Sequence, residues 1–389
     1  MPPTAIVRVN RKAAQRVASG HPWIFSSDVV DRGTATAGEA VQVLDTRDRP
    51  LGTFHYSAAS QISLRRLSTR IENIDAGFFR RRIQAAVGYR RRVVGGSTAF
   101  RLVYSEADRL PGLVVDRYAD CLVAQMLDQG MDRAKEEIVA VLQELFSPRA
   151  IVLRNDAAVR GKEALPLESA VVRGALDGPV AVEINGLKLE ADLLKGQKTG
   201  VFLDQRENYL AAARYAHGAA LDCFTCSGGF ALHMAAHCES VEAVDSSAEA
   251  LAAAERNRAL SGIANVSFRE ANVFDLLAGY VSAGRKFSTV VLDPPAFAKS
   301  RTALEGAARG YKEINLRALQ LLDRGGVLVT CSCSHHLGEA MFLEIVAQAS
   351  LDAGRSLRVL ERRTQAQDHP ILLTVPETCY LKCLILEVI

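Results

Sequence analysis

The chain lacks any long uncharged segment. Around the middle of the sequence, the longest stretch without Asp, Glu, Lys or Arg is residues 223–238, which contain Thr, Ser, His and two glycines. A membrane-spanning helix needs about 20 mostly apolar residues, so we expect no membrane partner. The N-terminal sequence MPPTAIVRVNRK also lacks the apolar segment of a secretory signal.

Cysteine is sparse and unevenly spaced. Eight cysteines in 389 residues do not form the pattern of a disulfide framework, so we expect free thiols in a reducing cytoplasm. Four possible metal ligands lie close together in the sequence, namely Cys331, Cys333, His335 and His336. Their spacing does not match the usual patterns of zinc ligands. We therefore predict no metal site.

The composition, with 49% hydrophobic and 23% charged residues, is typical of a globular protein, and the length suggests two or three domains. The net charge is only +3, but residues 1–92 carry nine excess positive charges and the remainder carries six excess negative charges. The basic N-terminal part favours a polyanion such as nucleic acid as a partner. Solvated helix faces are the alternative explanation.

Hydrophobic periodicity divides the chain further. Residues 1–70 contain short apolar and β-branched runs between turn formers, which predicts a β-rich region. Residues 71–94 have apolar side chains at helical spacing. The opposite face of that helix would carry Arg80, Arg81, Arg82, Arg90, Arg91 and Arg92.

A mixed α/β segment follows, and it includes a predicted hairpin that turns at Asn185-Gly186. From Asn208 onward, strands and helices alternate, which predicts an α/β fold with a mostly parallel, doubly wound sheet. The apolar residues 380–388 predict a last strand, which we place at an antiparallel edge.

The loop Asp222-Cys-Phe-Thr-Cys-Ser-Gly-Gly-Phe230 follows a predicted strand and opens a helix. Glycines and a helix N-terminus allow the backbone to approach a ligand closely. The next strand ends at Asp245, whose carboxylate is placed to accept hydrogen bonds from two ribose hydroxyls, or else to cap the following helix. We expect a nucleoside cofactor across these strand ends.

Two nucleoside cofactors compete, a dinucleotide and S-adenosylmethionine. The chain lacks the G-x-G-x-x-G loop of dinucleotide sites, which favours S-adenosylmethionine. The same loop contains Cys223-x-x-Cys226, a spacing also found in redox pairs. Its position within the cofactor loop favours a pocket-lining role for Cys226.

Five motifs together resemble a known family. They are Gly20-His-Pro-Trp-Ile-Phe25, residues 101–117, residues 198–208, Asp293-Pro-Pro-Ala-Phe297 and Thr330-Cys-Ser-Cys-Ser334. The chain resembles the bacterial large-subunit ribosomal RNA cytosine-5 methyltransferases, the RlmI-like group, over nearly its whole length. The resemblance implies ribosomal RNA as partner, and relatives often pair as homodimers. The implied domains are a PUA-like RNA-binding domain (1–72), a central α/β domain (73–190) and a Rossmann-like methyltransferase domain (191–389).

The resemblance also implies roles for single residues. Those expected to form the cofactor pocket are Phe202, Gln205, Arg206, Asp222, Phe224, Cys226, Gly228, Gly229, Asp245, Ser246, Asn272 and Asp293. Asp245 would hold the ribose. Asn272, where many relatives carry Asp, would accept a hydrogen bond from the adenine amino group through its carbonyl oxygen.

Carbon 5 of cytosine is a poor nucleophile, and a thiolate that adds to carbon 6 activates it. We predict Cys333 as this thiolate, because the family pattern favours it over the alternative, Cys331. Asp293 would assist, either as an acid at N3 or as an acceptor from the exocyclic amine.

Other side chains would bind the RNA backbone and an exposed base. The residues that we expect to make them are Trp23, Arg81, Arg82, Arg91, Phe297, Lys299 and His335. Two other functions stay open at this point. One is methylation of a base nitrogen, which an Asp-Pro-Pro motif followed by an aromatic residue also suggests, and the other is a non-catalytic RNA-binding assembly factor that retains the methyltransferase fold.

Overall fold

A computed structural model describes residues 3–196, 199–298 and 300–389, with Arg301 described by its backbone alone. None of the helices in these ranges is both long and apolar enough to cross a bilayer. The chain separates into two units. The first comprises Met1–Val182, Ala191–Val201 and Gln367–Thr378, and the second comprises Glu183–Glu190, Phe202–Ala366 and Cys379–Ile389.

The first unit begins with a six-stranded sheet. Its elements are β1 (Ile6–Val9), α1 (Arg11–Ala18), β2 (Trp23–Ile24), β3 (Val29–Asp31), β4 (Ala40–Leu44), β5 (Pro50–Tyr56) and β6 (Leu64–Ser68). The strand order is β2-β6-β5-β4-β1-β3, in which only the β1–β4 pair is parallel among the described residues. Inward-facing Val7, Val41 and Phe54 are fully buried in its core. The predicted β-rich start is confirmed.

A second sheet of five strands, in the order β11-β10-β9-β8-β7, completes the first unit. Its elements are α2 (Ala76–Val93), β7 (Ala99–Tyr104), β8 (Leu113–Tyr118), β9 (Cys121–Met126), α3 (Gln129–Arg133), α4 (Lys135–Phe146), β10 (Ala150–Asn155), α5 (Val159–Lys162) and β11 (Glu168–Gly174). Helix α2 starts later than the periodicity predicts, because the Asp75 side chain caps it by accepting a hydrogen bond from the Phe78 N–H.

One part of the α2 prediction is wrong. Arg90 does not lie on a solvated basic face, since it is buried and forms an ion pair with Asp108 at 2.5 Å. A buried guanidinium needs such a partner to offset its lost hydration. The partner is distant in sequence, so the local pattern did not indicate it.

The predicted hairpin is formed by β12 (Val180–Ile184) and β13 (Leu187–Ala191). Its two turn residues, Asn185 and Gly186, have φ angles of 53° and 86°. Positive φ at both positions is typical of the type I′ turn, which Asn-Gly favours.

The second unit contains a seven-stranded sheet. Its elements are α6 (Arg206–Tyr215), β14 (Ala219–Cys223), α7 (Gly229–Met234), β15 (Ser240–Asp245), α8 (Ala248–Leu260), β16 (Val266–Glu270), α9 (Val273–Ser282), β17 (Phe287–Leu292), α10 (Leu304–Leu321), β18 (Leu322–Ser332), α11 (Glu339–Asp352), β19 (Leu357–Arg363) and β20 (Lys382–Val388). The strand order is β16-β15-β14-β17-β18-β20-β19. The first five strands in this order are mutually parallel, which confirms the predicted fold class.

The last strand departs from its prediction. β20 is antiparallel as expected, but it lies between β18 and β19 rather than at the edge. β19 forms the edge, and Arg358, Val359 and Arg362 of this strand are exposed. Pairing between strands this far apart in sequence is not encoded in local periodicity.

Two glycines of the first unit differ in the space around them, and replacing each with alanine tests the backbone geometry of β5 and β6. Gly52 in β5 has a φ of 124°, and a Cβ there would lie 2.0 Å from the Ser68 carbonyl oxygen. Gly88 in α2 has open space around it, since a Cβ there would meet no atom within 4 Å. We expect Gly52→Ala to lower stability by about 3 kcal/mol and Gly88→Ala to raise it by about 1 kcal/mol. Thermal unfolding measures both, and a Gly52→Ala protein as stable as Gly88→Ala would contradict the β5–β6 geometry.

Candidate functional site

The carboxyl ends of four neighbouring strands meet at one edge of the seven-stranded sheet. The register pairs Cys223 with Val244 and with Leu292, and Leu292 with Thr330. The chain reverses its direction of winding between β14 and β17, which is where ligands bind in open α/β sheets. Asp245 is the last residue of β15, and Phe224, Asp293 and Cys333 directly follow the ends of β14, β17 and β18.

The loop between β14 and α7 has a left-handed backbone at three positions. Phe224, Cys226 and Gly228 have φ angles of 64°, 48° and 88°. Residues other than glycine rarely adopt this region, and such strain is concentrated at functional sites. Hydrogen bonds hold the loop in place, since the Cys226 N–H donates to Asp245 Oδ2 at 2.9 Å and the Thr225 N–H donates to a β15 carbonyl at 3.0 Å.

Asp222 is a fully buried acid under this loop. Its Oδ2 accepts hydrogen bonds from the Thr225 hydroxyl at 2.6 Å and from the Ala231 N–H at 3.0 Å. Its Oδ1 has no hydrogen-bond partner among the described residues. Burial raises the pKa of Asp222 to about 7, against the lowering effect of the two hydrogen bonds. A buried acceptor of this kind suits a cationic donor on a ligand, and the amino group of S-adenosylmethionine supplies one.

Asp245 lies at the end of β15 with both oxygens engaged by backbone. Oδ2 accepts from the Cys226 N–H, and Oδ1 accepts from the Ser247 N–H at 3.0 Å. The N-cap of α8 is Ser247, whose hydroxyl accepts from the Ala250 N–H. The alternative reading of Asp245 as the helix cap is therefore wrong. Each carboxylate oxygen keeps a second lone pair, which leaves capacity for two ribose hydroxyls.

Asn272 is exposed and caps α9. Its Oδ1 accepts from the Phe274 N–H at 2.9 Å and from the Asp275 N–H at 3.4 Å. The oxygen expected to meet the adenine amino group is thus committed to the helix. The adenine contact of Asn272 stays a prediction.

The two cysteines of the loop are poorly suited to redox chemistry. Burial raises the pKa of Cys223 well above its usual value. Burial and the nearby Asp245 charge raise the pKa of Cys226 to about 11. Reactive thiols have lowered pKa values, so this environment favours a structural, pocket-lining role.

Asp293 begins the loop after β17. Its N–H donates to the Cys223 carbonyl at 3.3 Å, and its Oδ1 accepts from Gln205 Nε2 at 3.0 Å. The Oε1 of Gln205 in turn accepts from Asn208 Nδ2 at 2.7 Å. These two hydrogen bonds fix the Gln205 amide so that its N–H group faces the Asp293 carboxylate. The family pattern places Gln205 and Asp293 in one pocket, but no sequence signal indicates their direct contact.

The remaining predicted pocket residues lie in the same unit. Phe202 is half-buried and Arg206 is buried at the first position of α6, whereas Ser246 is exposed next to Asp245. A Cβ on Gly229 would lie 2.5 Å from the Tyr209 ring. Gly229 is therefore required for the close packing of α7 against α6.

A chain of hydroxyl groups joins the loop after β17 to the end of β18. Ser332 Oγ donates to Tyr311 Oη at 3.0 Å, and the hydroxyls of Tyr311 and Ser334 are 3.1 Å apart. Ser334 Oγ also accepts from the Ala298 N–H at 3.2 Å. Burial raises the pKa of Tyr311, so its hydroxyl keeps its proton. The two loops are thereby held at a fixed distance.

The two cysteines at the end of β18 differ in exposure. Cys333 is half-buried, and its Sγ lies 3.9 Å from the Pro294 carbonyl oxygen. Cys331 is fully buried opposite Cys383 on β20, and burial raises its pKa well above the usual value. Only Cys333 of this pair can meet a substrate without unfolding of the strand.

The predicted RNA contacts in the first unit have varied surroundings. Arg91 is exposed, whereas Arg81 is exposed but forms an ion pair with Glu72 at 3.2 Å. Arg82 donates to the Leu67 carbonyl and lies over the Phe78 ring. Trp23 is half-buried, and its Nε1 donates to Glu106 Oε1 at 2.8 Å.

The other predicted RNA contacts belong to the second unit. Phe297 packs against Tyr311, with ring centroids 4.7 Å apart, and His335 stacks on Tyr380 at 5.4 Å. Lys299 lies outside the described residues. The RNA-contact roles of both sets stay predictions.

Comparisons with known proteins agree with the predicted fold class. A family model described as S-adenosylmethionine-dependent methyltransferase matches residues 169–386, and one described as PUA-like domain matches residues 7–69. Two relatives named ribosomal RNA large subunit methyltransferase I, from Shewanella amazonensis and Tolumonas auensis, are 45% and 42% identical to this chain. Each match covers 95% of this chain and 95% or 96% of the relative.

A solved structure shares the whole fold. SMU.776, crystallised in complex with SAH, has a TM-score of 0.86 over 99% of this chain and 100% of its own, at 18% sequence identity. With the family matches, this confirms the predicted fold class and S-adenosylmethionine as cofactor rather than a dinucleotide.

The geometry of Asp245 leads to a binding test. Asp245→Asn removes the charge that strengthens hydrogen bonds to ribose hydroxyls, so we expect it to weaken S-adenosylmethionine binding at least about tenfold. Glu249→Gln, an exposed acid in the first turn of α8, is the control and should bind as the wild type does. Isothermal titration calorimetry gives both dissociation constants. Equal affinities for the two variants would exclude Asp245 from the cofactor site.

Proposed function

Since the chain belongs to the S-adenosylmethionine-dependent methyltransferase family and to its ribosomal RNA large subunit methyltransferase I group, we propose that it methylates carbon 5 of a cytosine in large-subunit ribosomal RNA. The names of the relatives support this RNA as the substrate. The PUA-like region over residues 7–69 supports RNA binding. The choice of base and atom depends on Cys333.

The observation that carries the proposal is the contrast between Cys333 and Cys331. Cys333 is half-buried beside the loop that follows β17, and its Sγ lies 3.9 Å from the Pro294 carbonyl oxygen. Cys331 is enclosed between strands. Methylation of a base nitrogen needs no thiol, whereas carbon 5 of a pyrimidine needs a nucleophile at carbon 6. An accessible thiol next to a strand-end acid therefore favours carbon 5.

The proposed reaction has four changes of bonding. The Cys333 thiolate forms a bond to carbon 6, and electron density moves to carbon 5. S-adenosylmethionine would supply an electrophilic methyl group to carbon 5, and the electrons of the broken sulfur–methyl bond would stay on the sulfur of the cofactor. The proton on carbon 5 then leaves to a base, and the electrons of that C–H bond restore the ring double bond as the Cys333–carbon 6 bond breaks.

Asp293 assists the addition step. Protonation or hydrogen bonding at N3 makes carbon 6 more electrophilic, and a carboxyl at the strand end can provide it. An alternative for the same group is to accept from the exocyclic amine. Gln205 orients the carboxyl in either case, because its amide donates to Oδ1 at 3.0 Å.

The cofactor roles of Asp222 and Asp245, and the RNA-contact roles of the arginines on α2, form part of the same proposal. It also includes a cytoplasmic location, where ribosomal RNA is available to the enzyme, and the pairing of two copies of the chain.

Replacement of the two cysteines separates the mechanism from its alternatives. We expect Cys333→Ala to reduce methylation of ribosomal RNA by about 10³-fold or more, with S-adenosylmethionine affinity unchanged. Cys331→Ala is the matched control and should retain methylation, although loss of a buried side chain costs some stability. Transfer of a radiolabelled methyl group to RNA measures both. A Cys333→Ala enzyme with normal turnover would refute the covalent mechanism.

The modified atom can be determined directly. We expect ribosomal RNA from cells without this protein to lack one 5-methylcytidine that the complete strain contains. Nucleoside mass spectrometry with fragment mapping detects it, and expression of Cys333→Ala should not restore it. Restoration by that variant, or a missing methyl group on a base nitrogen, would favour the nitrogen methyltransferase instead.

A further inference from the structure

A buried lysine lies next to the end of β18. Lys382 is the first residue of β20 and pairs with Ser332 across the two antiparallel strands. Its residue surface is only 7% exposed. Its Nζ donates to the Ser334 carbonyl at 2.7 Å and to the Tyr380 carbonyl at 2.8 Å. The ammonium group is therefore fixed at the carbonyl of Ser334, the residue that directly follows Cys333.

The charge of this lysine has no carboxylate partner among the described residues within ion-pair distance. Two of its three N–H groups are used by carbonyls, which leaves one for another acceptor. Burial lowers the pKa of Lys382 to about 8. The negative charge of the Cys333 thiolate raises this pKa, and its effect is larger than those of Cys379 and Glu339. A buried cation without a paired anion is costly, and an anionic sulfur at Cys333 offsets that cost.

We propose that Lys382 is a positioning residue that holds Cys333 in its thiolate form. This rests on the proposed role of Cys333 as nucleophile. The field of the ammonium group favours the ionised sulfur, and the thiol proton passes to water, with no other bond formed or broken. Because two carbonyls fix Nζ, the charge is in place before substrate binds. Preorganised charge of this kind avoids reorganisation during the reaction.

Several titratable groups face Cys333 or Lys382 and contribute to any pH profile. Tyr311 interacts with Cys333, and Cys379 and Glu339 interact with Lys382. Asp293 precedes Pro294, whose carbonyl oxygen lies 3.9 Å from Cys333 Sγ, and His335 follows Cys333 by two residues. Negative charge on Asp293, Glu339 or Cys379 opposes a thiolate at Cys333. Lys382 favours it, which is why removal of this lysine should be visible above the other contributions.

The test measures the ionisation of Cys333 without RNA or cofactor. The full-length protein is treated with iodoacetamide from pH 5 to pH 10, and peptide mass spectrometry follows alkylation of Cys333 separately from exposed Cys379. The thiolate is the reactive form, so the midpoint of the rate reports its pKa. We expect Lys382→Met to raise this midpoint by about one pH unit, equal to about tenfold slower alkylation at neutral pH. Lys382→Arg keeps the charge and should restore most of the wild-type rate.

A purely structural lysine would give a different result. Lys382→Met with the melting temperature of the wild type and an unshifted Cys333 midpoint would overturn the proposal. If Lys382→Met does not fold, the same measurement on the wild-type protein tests the proposal. An alkylation midpoint of wild-type Cys333 at or above that of the glutathione thiol would equally overturn it. The alkylation midpoint is measured without turnover, so it is independent of the proposed function. Failure of the proposed function would appear in a different experiment, as methylation that survives Cys333→Ala.

Discussion

The buried hydroxyl of Tyr311 is the interaction on which the candidate site depends. It bonds to Ser332 and Ser334 on the β18 side, while Ser334 in turn accepts from Ala298 in the loop after β17. Tyr311 itself is fully buried in the core between the sheet and the helices packed on it. The distance between Cys333 and the loop after β17 is therefore set by packing in the core.

Hydrogen bonds hold the charged side chains of Asp222, Asp245 and Lys382 in place at this edge of the sheet. Asp222 and Asp245 accept backbone and hydroxyl donors that fix the β14–α7 loop, with acceptor capacity remaining for a ligand. Lys382 places positive charge at the end of β18, where a sulfur anion would form. A low local dielectric strengthens these interactions and makes an unpaired group costly, and Asp222 keeps one oxygen without a partner among the described residues.

Local patterns were sufficient for most of the fold. The alternation of strands and helices after Asn208 and the Asn185-Gly186 turn depend on near neighbours, and the predictions from them are confirmed. Features that depend on distant neighbours were not predictable. The place of β20 between β18 and β19 and the burial of Arg90 against Asp108 belong to this class.

The same division holds at the site. Asp245 and Asp293 could be selected because they follow predicted strands in sequence, where an open α/β sheet presents its ligands. The contact of Gln205 with Asp293 and the place of Lys382 beside Ser334 arise only when remote segments pack together. Asn272 differs from these residues. The family pattern indicates its position in the cofactor pocket but does not indicate that its side chain caps α9.

The covalent step is the central claim, and a substrate analogue tests it most directly. RNA that carries 5-fluorocytidine has no proton to release at carbon 5, so a Cys333–carbon 6 bond should persist once the methyl group has been transferred. We predict that mass spectrometry of the wild-type protein with this RNA and S-adenosylmethionine finds the nucleotide attached to the peptide containing Cys333. Methyl transfer to the analogue without any protein–RNA adduct, or an adduct at another cysteine, would contradict the account.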